Sequence, residues 1–266
     1  MKFIELLKYI FLSIVQGVGE ILPISSSGHL LLFRNLFNLS LEGIELEIIL
    51  HLASIFALFI YYRKIIFDLI KGLYLYLIKK DSMYKKDFIF VRGMIISLIP
   101  TCLVGYIFND YLSIFFKYSS LVGMFLIFNG LNLYLIKNKN ESMEIEEMSL
   151  FSFFKIGMGQ CLGLIPGFSR SGSALSMCYR EKMNKEDSEK FTFLMLFPLV
   201  IGSLLLNIKD FSFDCDLTIL LIISFIVSFM VTLFSLRLLS TIVRGGKIYY
   251  FSYYCIIIGI VVMIIS

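Results

Sequence analysis

Gln16, Glu20, Ser25, Ser26, Ser27 and His29 crowd into one short apolar stretch, and Ser169, Arg170, Ser171 and Ser173 into another. Together these side chains can grip an anion and act on it. Serine hydroxyls and free helix N–H groups donate to oxyanions, and a guanidinium takes phosphate oxygens two at a time, which an ammonium does not. A histidine serves as general acid or base, or attacks phosphorus directly. Glu20 offers a hard oxygen ligand for a divalent cation, Mg2+ or Ca2+, and Gln16, one helical turn earlier on the same face, adds a neutral carbonyl oxygen. His51, four residues after Glu47, reads equally well as support for this group or as a structural residue, and so does Glu47. Serines also pack turns with no chemical role, and Ser13, Ser152 and Ser176 are read that way. Glu20 and Arg170 resist that reading, because a charge at membrane depth costs about 2.5–3.5 kcal/mol on insertion scales.

Membrane depth follows from composition. Of 266 residues 58% are hydrophobic and only 17% charged, with a mean hydropathy of +0.87. A soluble domain of this length needs far more charge on its surface. The net charge of +4 is not concentrated in any basic run interleaved with aromatics, which argues against nucleic acid as a partner. The five cysteines, Cys102, Cys161, Cys178, Cys215 and Cys255, match no metal or disulfide spacing and read as small apolar residues. Met1–Val15 has the flavour of a signal peptide but no small-residue cleavage site, so it is expected to stay with the protein.

Lys and Arg concentrate in four stretches: eight in Arg63–Arg92, three in Lys137–Lys155, four in Arg180–Lys190 and three in Arg237–Lys247. By the positive-inside rule these are cytoplasmic. The acidic stretches around Glu42, Glu45 and Glu47 and around Asp210, Asp214 and Asp216, with the turn Asn109–Lys117, then lie outside. Fitting helices between them predicts an all-α, polytopic membrane protein of six transmembrane helices at about 46–62, 88–108, 119–137, 189–207, 217–237 and 248–265. Asp68–Lys80 reads as a separate interfacial helix.

Two segments remain, about 1–35 and 150–180, apolar at both ends and broken by Pro, Gly and Ser. Entering from opposite faces, they read as two re-entrant hairpins of an inverted-topology repeat. The whole is one membrane-embedded domain, 1–266, with halves of about 1–137 and 150–266. Pro23-Ile-Ser-Ser-Ser-Gly28 matches Pro166-Gly-Phe-Ser-Arg-Ser-Gly172 with one insertion, pairing Ser25 with Ser169, Ser26 with Arg170 and Ser27 with Ser171. Gln16 matches Gln160. Each Ser/Gly turn precedes a short helix, so its serine suits the N-cap and two positive helix ends aim at one point. A phosphate fits there.

The motifs resemble those of the bacterial undecaprenyl-diphosphate phosphatases of the bacitracin-resistance type. The stretches that carry the resemblance are Gln16-Gly-Val-Gly-Glu-Ile-Leu-Pro-Ile-Ser-Ser-Ser-Gly-His-Leu30, Gly163-Leu-Ile-Pro-Gly-Phe-Ser-Arg-Ser-Gly172, Glu47-Ile-Ile-Leu-His-Leu-Ala53 and Phe191-Thr-Phe-Leu-Met-Leu-Phe-Pro198. The resemblance implies hydrolysis of undecaprenyl diphosphate to the monophosphate, in the plasma membrane, from a cavity open to the outer face. It implies Glu20 as the acidic metal ligand, Ser26 and His29 as the groups serving attack, and Arg170 as the diphosphate anchor. Ser25, Ser27, Ser169 and Ser171 become oxyanion donors. The family often has Glu where Gln16 stands and Thr where Gly19 stands, so the site here loses a charge and a hydroxyl. Whether Ser26, His29 or a water attacks is open, and a homodimer is compatible with the chain. A lipid-phosphate flippase or small-anion transporter on the same scaffold is the rival reading, and a structural scaffold leaves Glu20 and Arg170 unexplained.

Overall fold

The fold, taken from a computed structural model, is all-α among the residues it describes, which are 3–37, 45–115, 118–137, 139, 142–207 and 218–266. Ten helices follow in order: α1 (Phe3–Gly19), α2 (Ser26–Leu36), α3 (Glu45–Lys79), α4 (Lys85–Phe115), α5 (Ser119–Tyr134), α6 (Leu150–Gln160), α7 (Arg170–Arg180), α8 (Lys185–Asn207), α9 (Thr218–Arg244) and α10 (Tyr250–Ile265). Four of them, α3, α4, α8 and α9, are long and apolar enough to cross a membrane. With the shorter apolar helices α5 and α10 they occupy the places expected for six spans. The chain is a polytopic membrane protein.

One expectation changes. Asp68–Lys80 is no separate interfacial helix, because α3 runs unbroken for 35 residues, about 52 Å at 1.5 Å per residue. A hydrocarbon core is only roughly 30 Å thick, so its far end extends past the apolar layer. The start of α4 holds that end. Tyr76 stacks on Phe88 with centroids 4.6 Å apart, and Asp87 lies so close over Gly72 that a methyl group there would collide with its carboxylate. The outer stretches around Glu42 and Asp210–Asp216, most of Asn109–Lys117, and Cys215 lie outside the described residues or their described side chains.

The two broken segments are helix–turn–helix units. α1 and α2 form the first, and α6 and α7, with a 3-10 turn at Cys161–Leu164 between them, form the second. α2 and α7 have the same length, 11 residues, and each is capped by a serine: Ser25 Oγ accepts from Gly28 N at 3.3 Å and Ser169 Oγ from Gly172 N at 3.1 Å. The correspondence needs no insertion. Gly19 packs on Ser26 and Gly163 on Arg170 at equivalent places, where an added Cβ would come within 2.8 Å and 2.5 Å of the partner's Cα. Pro23 therefore corresponds to Gly167, not to Pro166.

Around these units the long helices close a shell. α9 backs α1, with Gly17 against the Ser228 carbonyl, and reaches α3 through Ser54 and Thr232 at 3.4 Å. α5 and α10 approach backbone to backbone at Gly123 and Gly259, the small-residue packing by which helices associate where no hydrophobic drive separates them from lipid. The apolar core gathers Ile21 and Ile24 of the first turn with Phe153 and Ile156 of α6, Ala174 and Leu175 of α7 and Phe191 of α8, so the first turn packs among the helices of the second unit.

Candidate functional site

The two turns meet directly. Gly28 lies on Gly167, where an added Cβ would be 3.2 Å from the Gly167 Cα, and Gly172 lies on Pro23, where it would be 2.9 Å from the Pro23 Cβ. The contact is reciprocal: each unit's helix-opening glycine seats on the other unit's turn. Polar bonds lock it. Gly167 N donates to Ser25 Oγ at 3.2 Å, and Ser171 Oγ reaches the carbonyls of Glu20 and Ile21 at 3.4 and 3.3 Å.

Asn129, on α5, was missed by reasoning from motifs because it sits alone in an apolar helix. It is fully buried, and its amide spans both turns: Nδ2 donates to the Pro23 carbonyl at 2.9 Å while Oδ1 accepts from Ser169 N at 3.2 Å. A buried side-chain amide without partners costs about 1–3 kcal/mol, which is the signal that could have drawn attention to it.

On the first turn Glu20 is the hub. Its Oε2 accepts from Ser26 Oγ at 2.7 Å and from Gln16 Nε2 at 3.3 Å. Gln16 Nε2 also lies 3.1 Å from His51 Nδ1, which is itself 3.8 Å from Glu20 Oε2. His51 thus belongs to the group. Glu47, one helical turn before His51 on α3, pairs its carboxylate with Arg34 at the end of α2. The permanent positive charge that acts on Glu20 through space is the Arg170 guanidinium. Arg170 opens α7 from the second turn, half-buried, with Gly163 making room for its stem. Glu20, Ser26 and His29 are each under 8% exposed, so a charge here acts in a medium that screens it poorly.

His29 is held by a backbone carbonyl of its own turn and by a side chain of another helix. Its Nδ1 lies 2.9 Å from the Ser25 carbonyl, which can only accept, so Nδ1 carries the proton and Nε2 is left as the acceptor. That atom meets the Tyr254 hydroxyl at 2.9 Å, and the two rings stack with centroids 5.7 Å apart. The structure therefore bonds Ser26 to Glu20, and His29 to Ser25 and Tyr254. Tyr254, on α10, is the second residue that sequence reasoning missed, for it lies close to three other tyrosines, Tyr249, Tyr250 and Tyr253. Ser25 and Ser27 lie 3.5 Å apart, oxygen to oxygen, and Ser169 and Ser171 3.1 Å apart. Ser25 adopts φ 72°, a left-handed conformation that costs a non-glycine residue about 1–3 kcal/mol and gathers at functional sites.

Whether these groups suit a divalent cation turns on Gln16. Its Oε1 is buried without a hydrogen-bond partner among the described residues, on the side chain whose Nε2 donates to Glu20. An orphaned amide oxygen next to a carboxylate is a fit donor set for a hard cation. Among the described residues no three His, Cys, Asp or Glu side chains gather to complete a site, so substrate oxygens would supply the other ligands.

Residues 9–261 match the profile of the family described as "Bacitracin resistance protein BacA". Over 266 residues, 99% of this chain and 98% of the relative, it is 35% identical to "Undecaprenyl-diphosphatase 2" of Bacillus thuringiensis (strain Al Hakam). It is 35% identical over 270 residues, the full length of both chains, to "Undecaprenyl-diphosphatase 1" of Bacillus licheniformis. A third relative, "Undecaprenyl-diphosphatase 1" of Shouchella clausii (strain KSM-K16), is 36% identical over 267 residues, 98% of this chain and 96% of its own. The chain belongs to the bacitracin resistance protein BacA family.

Proposed function

We propose that this member of the family hydrolyses undecaprenyl diphosphate to undecaprenyl phosphate and inorganic phosphate, recycling a lipid carrier used in cell-wall synthesis. The observation that carries the reading is the Ser26–Glu20 hydrogen bond of 2.7 Å, set at the junction of two serine-capped helix N-termini and opposite Arg170.

In this reading Arg170 and the free N–H groups opening α2 and α7 hold the terminal phosphate and take up the charge that builds on its oxygens. Ser26 Oγ attacks the terminal phosphorus and passes its proton to Glu20. The bond from phosphorus to the bridging oxygen breaks, and the lipid monophosphate leaves. Water then attacks the phosphoserine, with His29 Nε2 taking its proton after exchanging its Tyr254 partner for that water; the bond from phosphorus to Ser26 Oγ breaks, Glu20 returns its proton to that oxygen, and orthophosphate leaves. A divalent cation, Mg2+ or Ca2+, would be held by Glu20 and the Gln16 amide oxygen, and when bound it supplies charge neutralisation of the diphosphate. Ser25, Ser169 and Ser171 shape the cradle through their caps and cross-turn bonds, and Ser27 lies beside Ser25.

The carrier is a plasma-membrane lipid, so the reading places the chain there, with the turns open to the outer face and the basic stretches in cytoplasm. The transport alternative gains nothing from relatives named as diphosphatases. The test is phosphate release by purified protein in detergent, where no gradient exists, from lipid diphosphates of several chain lengths with and without chelator. Release that grows with polyprenyl length and falls on chelation is expected. Folded protein that releases no phosphate from any of them, with or without added Mg2+ or Ca2+, overturns the reading.

A further inference from the structure

Residues from three of the four basic stretches converge on a cavity of about 260 Å³. It is lined by Lys139 after α5, Tyr179 of α7, Lys185 at the start of α8, and Gly245, Gly246 and Tyr249 between α9 and α10. Gly246 stands at φ +66°, and an added Cβ would sit 2.9 Å from the Lys185 ammonium. The turn needs glycine for its backbone, and the Lys185 ammonium lies against it. Lys137 stands beside the cavity with its ammonium 4.8 Å from the Tyr249 ring centre and 5.6 Å from that of Tyr134.

Some lysines of the basic stretches have an ion-pair partner and others do not. Lys86, Lys155 and Lys190 each pair with a carboxylate, respectively Glu144, Glu181 and Glu186. Among the described residues no carboxylate lies at ion-pair distance from Lys137, Lys139 or Lys185. Depth is marked as well. Tyr134, Tyr250 and Tyr253 are exposed beside the cavity and contact one another, the pattern of an aromatic belt at the headgroup level of a bilayer. Uncompensated lysines around a cavity at that level are suited to a phosphate group.

We propose that this cavity binds a phosphate at the membrane surface, the headgroup phosphate of an anionic lipid being the source its depth favours. The site is separate from the paired turns and does not depend on what they hydrolyse.

The full chain is placed in nanodiscs of equal parts phosphatidylcholine and phosphatidylglycerol, and retained lipid is read by native mass spectrometry. Wild type is expected to keep phosphatidylglycerol over phosphatidylcholine, with affinity falling about fivefold for each of Lys137→Gln and Lys185→Gln. Lys185→Arg should retain the lipid, as should Lys190→Gln, whose ammonium already has its carboxylate. In a second arm inorganic phosphate is titrated into detergent-solubilised protein. Lysine-dependent thermal stabilisation by phosphate alone assigns the cavity to free phosphate, whereas its absence beside lysine-dependent lipid retention assigns it to the headgroup. Phosphatidylglycerol retained equally by wild type and the double Lys→Gln variant, or retained by neither while free phosphate also has no effect, overturns the proposal. Phosphate release from lipid diphosphate by the same variants reports the turns independently.

Discussion

The two turns of this molecule are built alike and equipped differently. Both have a serine N-cap, an 11-residue helix, a glycine seated on the opposite turn and a hydroxyl pair two residues apart. Yet where the first has Glu20, Ser26 and His29, the second has Leu164, Arg170 and Ser173. Even the matched glutamines diverge. Gln16 bonds Glu20 and stands beside His51, whereas Gln160 accepts from Thr101 and braces α4. The parts that shape a cradle are duplicated, while the parts that react are not. Doubling the reactive set would bury two carboxylates together near an anion, and doubling the anchor would bury two guanidiniums with no acid between them. Either arrangement leaves like charges close in a medium that screens them weakly.

The contrast can be broken most severely at its unmatched members. Arg170→Ala and Glu20→Gln should each lower phosphate release from lipid diphosphate by about 10²–10⁴-fold, measured as initial rates in detergent on variants with unchanged melting temperature. A rate within tenfold of wild type in either would remove that residue from the chemistry.

Next comes the part that serves both turns equally. Asn129→Leu strands the Pro23 carbonyl and the Ser169 N–H, two buried groups at about 1–3 kcal/mol each. It should lower thermal stability in detergent and reduce turnover at least about tenfold; Asn129→Asp should keep the Ser169 bond and fall between. Tyr254→Phe removes one neutral hydrogen bond from His29 and should lower kcat about 2–10-fold with KM little changed, and it should alter the pH profile. The smallest effect is expected at the mirror position of His29. Ser173→Ala deletes a buried hydroxyl that has no hydrogen-bond partner among the described residues, so stability should stay level or rise slightly by thermal melt.

Much of this was legible because the membrane makes polar residues conspicuous. Glu20 and Arg170 stood out against apolar neighbours, and the Ser/Gly spacing announced caps that the structure forms at Ser25 and Ser169. The helices followed from apolar runs between basic stretches. Other features left no such trace. The continuation of α3 to Lys79 depends on α4 packing against Gly72, a tertiary contact that local periodicity does not encode. The partner of Ser26 could not be read from spacing, since Glu20 and His29 are both near it in sequence and only the path of the turn selects Glu20. Asn129 and Tyr254 act on the first turn from more than a hundred residues away, and nothing beside them in the chain marks the distance. The pairing of the serines and of Gln16 with Gln160 holds, and only the match of Pro23 to Pro166 misled, because it hid the equivalence of Gly19 with Gly163.

The reciprocal seating of Gly28 on Gly167 and of Gly172 on Pro23 also sets a schedule for making the protein. A ribosome delivers the first turn early and its counterpart only after some hundred and fifty further residues, roughly ten seconds or more later at about 5–20 residues per second. Throughout that interval Glu20 has neither Arg170 nor the roof of the second turn, although α1 and α2 are already available to enter the bilayer. A nascent first half therefore carries a carboxylate whose shelter has not yet been translated. It must wait at the insertion machinery or keep water with it until its complement arrives.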